Sequence, residues 1–303
     1  MRILFAGTPE TAVPSLNRLV SDGHDVAAVL TRAPARAGRK HQLVQSDIHN
    51  TAQKLGLPVL TPHTLKDPAV REQIAELNVE AVAVVAYGLL VPKEFLGIPW
   101  INLHFSLLPC WRGAAPVQYA IWHGDDLTGA STFRIEEGLD TGPVYGTLTE
   151  TIGPNDTSGD LLARLATSGA ELLSRTFALL EAGRATAQPQ SGEPSYAPMI
   201  HPPEAQVDWN HPAVAIDRQI RAHTPDPGPW TTLGGSRVKL GPASLVPEVT
   251  DLAPGELRDG LVGTGSHALR LGTVAPAGKR AMPAQDWLRG ARLAQGTRFG
   301  EKA

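Results

Sequence analysis

Residues 101–118, INLHFSLLPCWRGAAPVQ, deliver a carboxamide, an imidazole and a hydroxyl from one apolar run. Side chains alternate along an extended chain, so Asn102, His104 and Ser106 project to one side and can converge on one point. A neutral amide donor beside an imidazole suits a reaction in which a carbonyl oxygen gains negative charge while a proton is moved. A carboxylate for that imidazole stands downstream: Asp140 sits in EEGLDTGPVYG, where glycines on both sides permit a tight loop. An Asp within reach of His104 would fix its tautomer and favour its protonated form, as in a triad without a serine nucleophile. Taken singly, Asn102 reads as a turn cap, His104 as a satisfied histidine at a sheet edge and Asp140 as a turn residue. Their combination is what points to chemistry.

Among the elements that must hold these residues, RILFAGTPETAVPSLNRLVSDGHDVAAVLT reads as a strand, a Gly turn, a helix ending near Gly23 and a second strand, which is a βαβ unit. Helices are expected in SDIHNTAQKLG and PAVREQIAEL, followed by the strands LPVL and AVAVVAY. Strands alternating with helices imply an α/β fold with a mostly parallel sheet covered on both faces. After Asn102 the pattern changes. TGASTFRI and PVYGTLTETI read as strands joined through EEGLDTG, and the first of them can return that loop to the end of the strand bearing His104. A long amphipathic helix then covers SGDLLARLATSGAELLSRTFALLEAG. The turn after the first strand, GTPETAVPSL, lacks the three glycines of a dinucleotide fingerprint, which argues against a nicotinamide or flavin enzyme.

The 303-residue length points to two domains. The stretch ATAQPQSGEPSYAPMIHPPEA has linker composition, so the boundaries are expected at 1–185 for the first domain, 186–205 for a linker and 206–303 for the second. Short strand candidates punctuated by Gly and Pro beyond it suggest a small barrel or sandwich. Lys plus Arg number 27 against 30 Asp plus Glu, a formal charge of −3, so the whole molecule is not a general polyanion binder. Residues 206–303 carry 12 basic against 9 acidic side chains, whereas 1–205 carry 15 against 21, which makes the second domain the better surface for a polyanion. One cysteine, Cys110, excludes an intramolecular disulfide framework and fits a reducing cytoplasm. With neither a leader pattern nor a bilayer-length apolar run, a soluble intracellular protein is expected.

NLHFSLLPCWRGAAPVQ together with GLDTG resembles the folate-dependent formyltransferases, whose signature is Asn-x-His-x-Ser-Leu-Leu-Pro, a nearby Arg-Gly and a downstream Asp. The likeness continues in RILFAGTPETA, VVAYGLLVP, NDTSGDLLARLA, QVDWN, IRAHTPDPGPW and PAGKRAMPAQDWL, from near Arg2 to Leu288, and is greatest to the branch that acts on tRNA. That resemblance implies a Rossmann-like catalytic domain, a linker and a small OB-like β-barrel that binds tRNA. It implies 10-formyltetrahydrofolate as formyl donor, the α-amino group of methionyl initiator tRNA as acceptor, no metal, no membrane and a monomer. Asn102, His104 and Asp140 match the family's catalytic trio. Ser106, Leu107, Leu108 and Pro109 match its folate-contacting turn, and Tyr87, Gly88, Leu89, Leu90, Val91 and Pro92 match a segment near the pterin. Arg36, Arg39 and Lys40, in TRAPARAGRKHQ, match a basic loop that enters the tRNA acceptor arm, and Arg221, Arg237, Lys239, Lys279 and Arg280 are candidates for phosphate contacts from the second domain. The active-site motif alone is also shared with enzymes that formylate amino sugars or other small amines. A noncatalytic folate- or RNA-binding protein and a deformylating hydrolase are further readings.

Overall fold

The computed structural model describes residues 1–37, 42–291 and 293–300, with the side chains at 36, 37 and 42 outside that description. The chain divides into two compact units. One comprises Met1–Gly113, Thr128–Thr151 and Leu162–Tyr196, and the other Ala114–Leu127, Ile152–Leu161 and Ala197–Ala303.

In chain order the first elements are β1 (Arg2–Gly7), α1 (Val13–Ser21), β2 (Asp25–Leu30), β3 (Ala35–Ala37), β4 (Gln42–Val44), α2 (Asp47–Lys54), β5 (Val59–Leu60), α3 (Pro68–Glu76), β6 (Ala81–Val85), β7 (Trp100–His104), α4 (Pro116–His123), β8 (Leu127–Arg134), β9 (Val144–Thr151) and α5 (Ser158–Glu181). A seven-stranded sheet runs β5-β2-β1-β6-β7-β8-β9. Its pairs from β5 through β7 are parallel, and β8 joins β7 antiparallel, with His104 opposite Ser131. β1 and β6 are apolar on both faces and almost fully buried, as expected of central parallel strands. The helices begin at local caps: Ser46 Oγ accepts from His49 N at 3.0 Å, and Asp67, ahead of Pro68, accepts from Ala69 N at 3.0 Å.

Sheet order reverses at β1, whose neighbours β2 and β6 lie on opposite sides, so a crevice opens at the carboxyl ends of β1 and β6. The chain leaving β1 and the chain leaving β6 are tied there, Thr8 Oγ1 donating to Tyr87 O at 2.8 Å. β7, the next strand, carries the Asn and His side chains to the same edge. Leu103 packs against Gly169 of α5, so Asn102 and His104 face away from that helix.

The second unit continues through α6 (Ala213–Ala222), β10 (Trp230–Leu233), β11 (Ser236–Leu240), β12 (Ala243–Val246), β13 (Leu257–Arg258), β14 (Leu261–Val262), β15 (Ala268–Leu271), β16 (Thr273–Pro276), β17 (Met282–Pro283) and α7 (Ala284–Ala291). Among the described residues the expected barrel is two antiparallel four-stranded sheets, β10-β11-β16-β17 and β12-β15-β14-β13, with no ladder closing them into one. The two sheets share one corner. β11 pairs with β16 and β12 with β15, so two antiparallel strands pass together from one sheet into the other at Gly241-Pro242 and Gly272. A Cβ on Gly241 would meet Thr273 Oγ1 at 2.0 Å and one on Gly272 would meet the Pro242 carbonyl oxygen at 2.3 Å, so the bend requires both glycines. The apolar sides cover a core of Trp209, Ile216, Ile220, Val238, Leu269 and Trp287. Among the described residues no helix is long and apolar enough to cross a membrane.

Candidate active site

His104 ends β7, 6% exposed, with Asp140 15% exposed beside it. The ring Nε2 lies 2.9 Å from the Trp111 carbonyl oxygen. A carbonyl only accepts, so Nε2 carries the proton, and in the neutral ring Nδ1 is the acceptor. Nδ1 faces Asp140 Oδ2 across 3.8 Å, beyond hydrogen-bond length. The expectation that Asp140 fixes the tautomer is therefore corrected: the backbone carbonyl does so, and the carboxylate oxygen instead accepts from Gly113 N at 2.8 Å. Burial holds the imidazole below its ordinary range, while Asp140 and the Trp111 carbonyl pull it upward. The side-chain amide of Asn102, half-buried two residues earlier, has no hydrogen-bond partner within the protein among the described residues.

Ala86, Trp111 and Asp140 lie in the left-handed region, with φ of +47°, +57° and +51°. For residues other than Gly each such conformation costs on the order of 1–3 kcal/mol and persists only where surrounding bonds over-determine it. At Asp140 those bonds come from Gln190, whose Nε2 donates to the Asp140 and Gly142 carbonyls at 2.7 and 2.9 Å. Gly142 has no room for a side chain, because a Cβ there would sit 1.7 Å from the Arg134 carbonyl oxygen. At Trp111, Ser195 Oγ accepts from the backbone N–H at 2.8 Å, and Ser195 O accepts from Arg112 N at 2.9 Å.

The turn at 106–109 is pinned to β8. Ser131 Oγ donates to Ser106 O at 2.7 Å and accepts from Leu108 N at 3.2 Å, while Ser106 Oγ donates to Cys110 O. Leu107 and Leu108 remain half-exposed and Phe105 packs inward. In the 87–92 segment Tyr87 is buried with its hydroxyl unpartnered by protein among the described residues, and burial pushes its phenol up. Gly88 and Leu90 are exposed, and Leu89, Val91 and Pro92 are half-buried.

Ser131, Gln190 and Ser195 were not singled out by sequence reasoning. Ser131 had a signal in the run of hydroxyl residues along an otherwise apolar strand. The other two fall in the stretch whose composition reads as a linker, and Gln188 there exchanges two 2.8 Å backbone bonds with Val144.

Of the basic residues, Arg39 and Lys40 lie outside the described residues, as does the side chain of Arg36. Arg221 is corrected: it is 9% exposed, with Nε bonded to Asp217 at 2.8 Å and Nη1 to the Asp156 carbonyl at 3.1 Å, so its charge is spent inside the second unit. Arg237 and Lys239 alternate with buried Val238 along β11, with the Arg237 guanidinium 4.3 Å over the Trp230 ring. Lys279 and Arg280 are exposed in the turn between β16 and β17.

Comparison with known proteins gives this geometry its context. Residues 1–177 match the formyl transferase family and residues 199–292 its C-terminal domain. A methionyl-tRNA formyltransferase of Thermobifida fusca is 55% identical over 99% of this chain and 100% of its own length. One of Paenarthrobacter aurescens is 57% identical over 96% of this chain and 97% of its own. Among solved structures, a methionyl-tRNA formyltransferase from Clostridium thermocellum superposes with a TM-score of 0.58 at 17% identity, covering 81% of this chain and 94% of that one. The sugar 3N-formyl transferase WlaRD superposes with a TM-score of 0.67 at 18% identity, covering 92% and 99%, a likeness of fold. The chain belongs to the formyl transferase family, among the methionyl-tRNA formyltransferases.

Proposed function

We propose that this chain transfers the formyl group of 10-formyltetrahydrofolate to the α-amino group of methionyl initiator tRNA, giving N-formylmethionyl-tRNA for translation initiation. The observation that carries the reading is the approach of His104 to Asp140 at the end of β7, beside an Asn102 amide with no protein partner among the described residues, in a chain 55% identical to a methionyl-tRNA formyltransferase over nearly its whole length.

The amine nitrogen bonds to the formyl carbon, the bond from that carbon to N10 of the folate breaks, and N10 keeps the electron pair. The Asn102 amide N–H donates to the formyl oxygen as it gains charge. Neutral His104 takes the amine proton at Nδ1, and the imidazolium then has Asp140 as its partner. That proton is returned to N10 as the folate departs. The half-exposed Leu107 and Leu108, the turn at 106–109 and the 87–92 segment offer an apolar seat with backbone polar groups, which suits a flat heteroaromatic donor.

In the second unit, the two antiparallel sheets act as an OB-like platform for tRNA, with Arg237 stacked on Trp230 and with Lys239, Lys279 and Arg280 meeting phosphates. The protein works as a monomer in the cytoplasm, and Arg36, Arg39 and Lys40 meet the acceptor arm.

The reading is tested by incubating the purified protein with 10-formyltetrahydrofolate and charged initiator tRNA, charged elongator tRNA, an amino sugar, or no acceptor. Label moves to initiator tRNA alone if the proposal is right. Formylation of the amino sugar, or release of formate without an acceptor, overturns it.

A further inference from the structure

We infer that Gln190 is a positioning residue for the catalytic carboxylate, its carboxamide holding the left-handed turn at Asp140 and so setting the gap between Asp140 and His104. The kinetic part of this inference rests on the formyl transfer proposed above.

The Gln190 side chain is saturated. Nε2 donates to the Asp140 and Gly142 carbonyls at 2.7 and 2.9 Å, and Oε1 accepts from Arg112 Nε and Nη2 at 3.2 and 2.6 Å. One carboxamide thus joins the backbone of the Asp140 loop to the guanidinium of Arg112. The loop bearing Asp140 lies on its donor side, and the 111–113 turn, which supplies the Trp111 carbonyl to Nε2 and the Gly113 N–H to Asp140, lies on its acceptor side. Its own position is fixed from both ends, by the Gln188–Val144 backbone pair and by Ser195 against Trp111 and Arg112. Two carbonyls convergent on one nitrogen require a donor with two N–H groups, and the Arg112 guanidinium on the opposite side requires an acceptor oxygen, a pair that a carboxamide supplies. Glutamate would keep the Arg112 contact but turn lone pairs toward both carbonyls, and methionine would fill the space and bond to neither.

The test uses the full-length protein with Gln190→Met and Gln190→Glu, and follows the His104 imidazole titration by NMR without substrates, together with kcat, KM and melting temperature. Because Asp140 raises the His104 pKa, loosening its turn should lower that pKa further in Gln190→Met, whereas the carboxylate of Gln190→Glu adds an opposing upward pull and serves as the rate control. A displacement of about 1 Å at a reacting group costs roughly 100-fold in rate, so kcat should fall on that scale with KM for the folate held. An unchanged His104 titration in Gln190→Met overturns the inference, as does a Gln190→Glu enzyme with the wild-type rate, which would leave only the Arg112 contact of consequence. Should either variant fail to fold, Gln190→Asn, with the same groups on a shorter reach, carries the same titration. The titration needs no turnover: a wild-type protein without formyl transfer would sink the proposed function and leave this inference to be decided by NMR.

Discussion

Asp140 Oδ2 stands 3.8 Å from His104 Nδ1, near enough to stabilise an imidazolium and too far to hydrogen-bond the neutral ring. With Nε2 committed to the Trp111 carbonyl, Nδ1 is the one ring position that can accept a proton. The site is therefore set for His104 to start neutral and finish charged. Burial places its folded pKa below the ordinary value of about 6.5, so kcat should rise through a limb lying below about pH 6.5 and be level at neutral pH. Asp140→Asn removes the charge that opposes burial. The limb should then move to still lower pH and the plateau should drop, because the imidazolium loses its partner. Saturating kcat measured from pH 4.5 to 8 checks both, and a limb displaced upward in the variant would contradict this assignment.

Asn102 presents a donor with nothing in the protein to bond, among the described residues, so its removal should cost little stability and much rate. Loss of one preorganised oxyanion donor costs about 2.7–4 kcal/mol of barrier, a factor of about 100–1,000 in turnover. Asn102→Ala is expected to fall by that factor in single-turnover formylation while retaining tRNA affinity and melting within about 0.5 kcal/mol of wild type. Near-normal single-turnover rates would remove Asn102 from the mechanism.

The alternation of β7 made the shared side of Asn102 and His104 legible from sequence, and the glycines around Asp140 announced a loop able to turn back. Gln190 was not legible, because Pro, Gln and Ser report an absence of regular structure and say nothing of tertiary bonds. Its partners are the side chain of residue 112 and the carbonyls of 140 and 142, far away in sequence. The Trp111 carbonyl was hidden for a similar reason, since a backbone oxygen leaves no mark in a motif. Nor could composition separate Arg221 from Arg237. Arg221 is captured by an i−4 carboxylate and a distant carbonyl, whereas Arg237 is left to stack on Trp230. The corner of the second unit depends on Gly241 and Gly272 being opposed across two strands, a pairing that local punctuation cannot reveal.

That contrast between arginines makes a prediction about tRNA. Each phosphate contact contributes a slope of about −0.9 to the dependence of log affinity on log salt. Neutralising Lys239 or Lys279, which are exposed on the β10-β11-β16-β17 sheet and its turn, should reduce the slope by about 1 each, uniformly for initiator and elongator tRNA. Arg221→Met should leave the slope alone and instead cost about 3–5 kcal/mol of stability, because Asp217 is left buried without its partner. Titrations at several salt concentrations beside thermal melts distinguish the two patterns, and a lost slope in a normally stable Arg221→Met protein would reverse the assignment.

His223 supplies a second pH dependence, of stability and not of rate. It closes α6 fully buried, its ring 4.7 Å from that of Trp122 on α4, with neither nitrogen bonded to protein among the described residues. Burial lowers its pKa from 6.5 to about 4, with Glu204 opposing weakly. A histidine depressed in the folded state binds fewer protons there than in the unfolded chain, so its stabilising share is complete above pH 6.5 and drains away as the pH falls toward 4. Melting temperature should therefore decline between pH 6.5 and 4, and His223→Phe, which keeps the ring contact and cannot protonate, should decline less. His24 and His104 are depressed as well and retain their part of the slope in the variant, so the informative quantity is the difference between the two curves. Parallel curves for the two proteins would mean that His223 finds a partner in solution and titrates near its ordinary range.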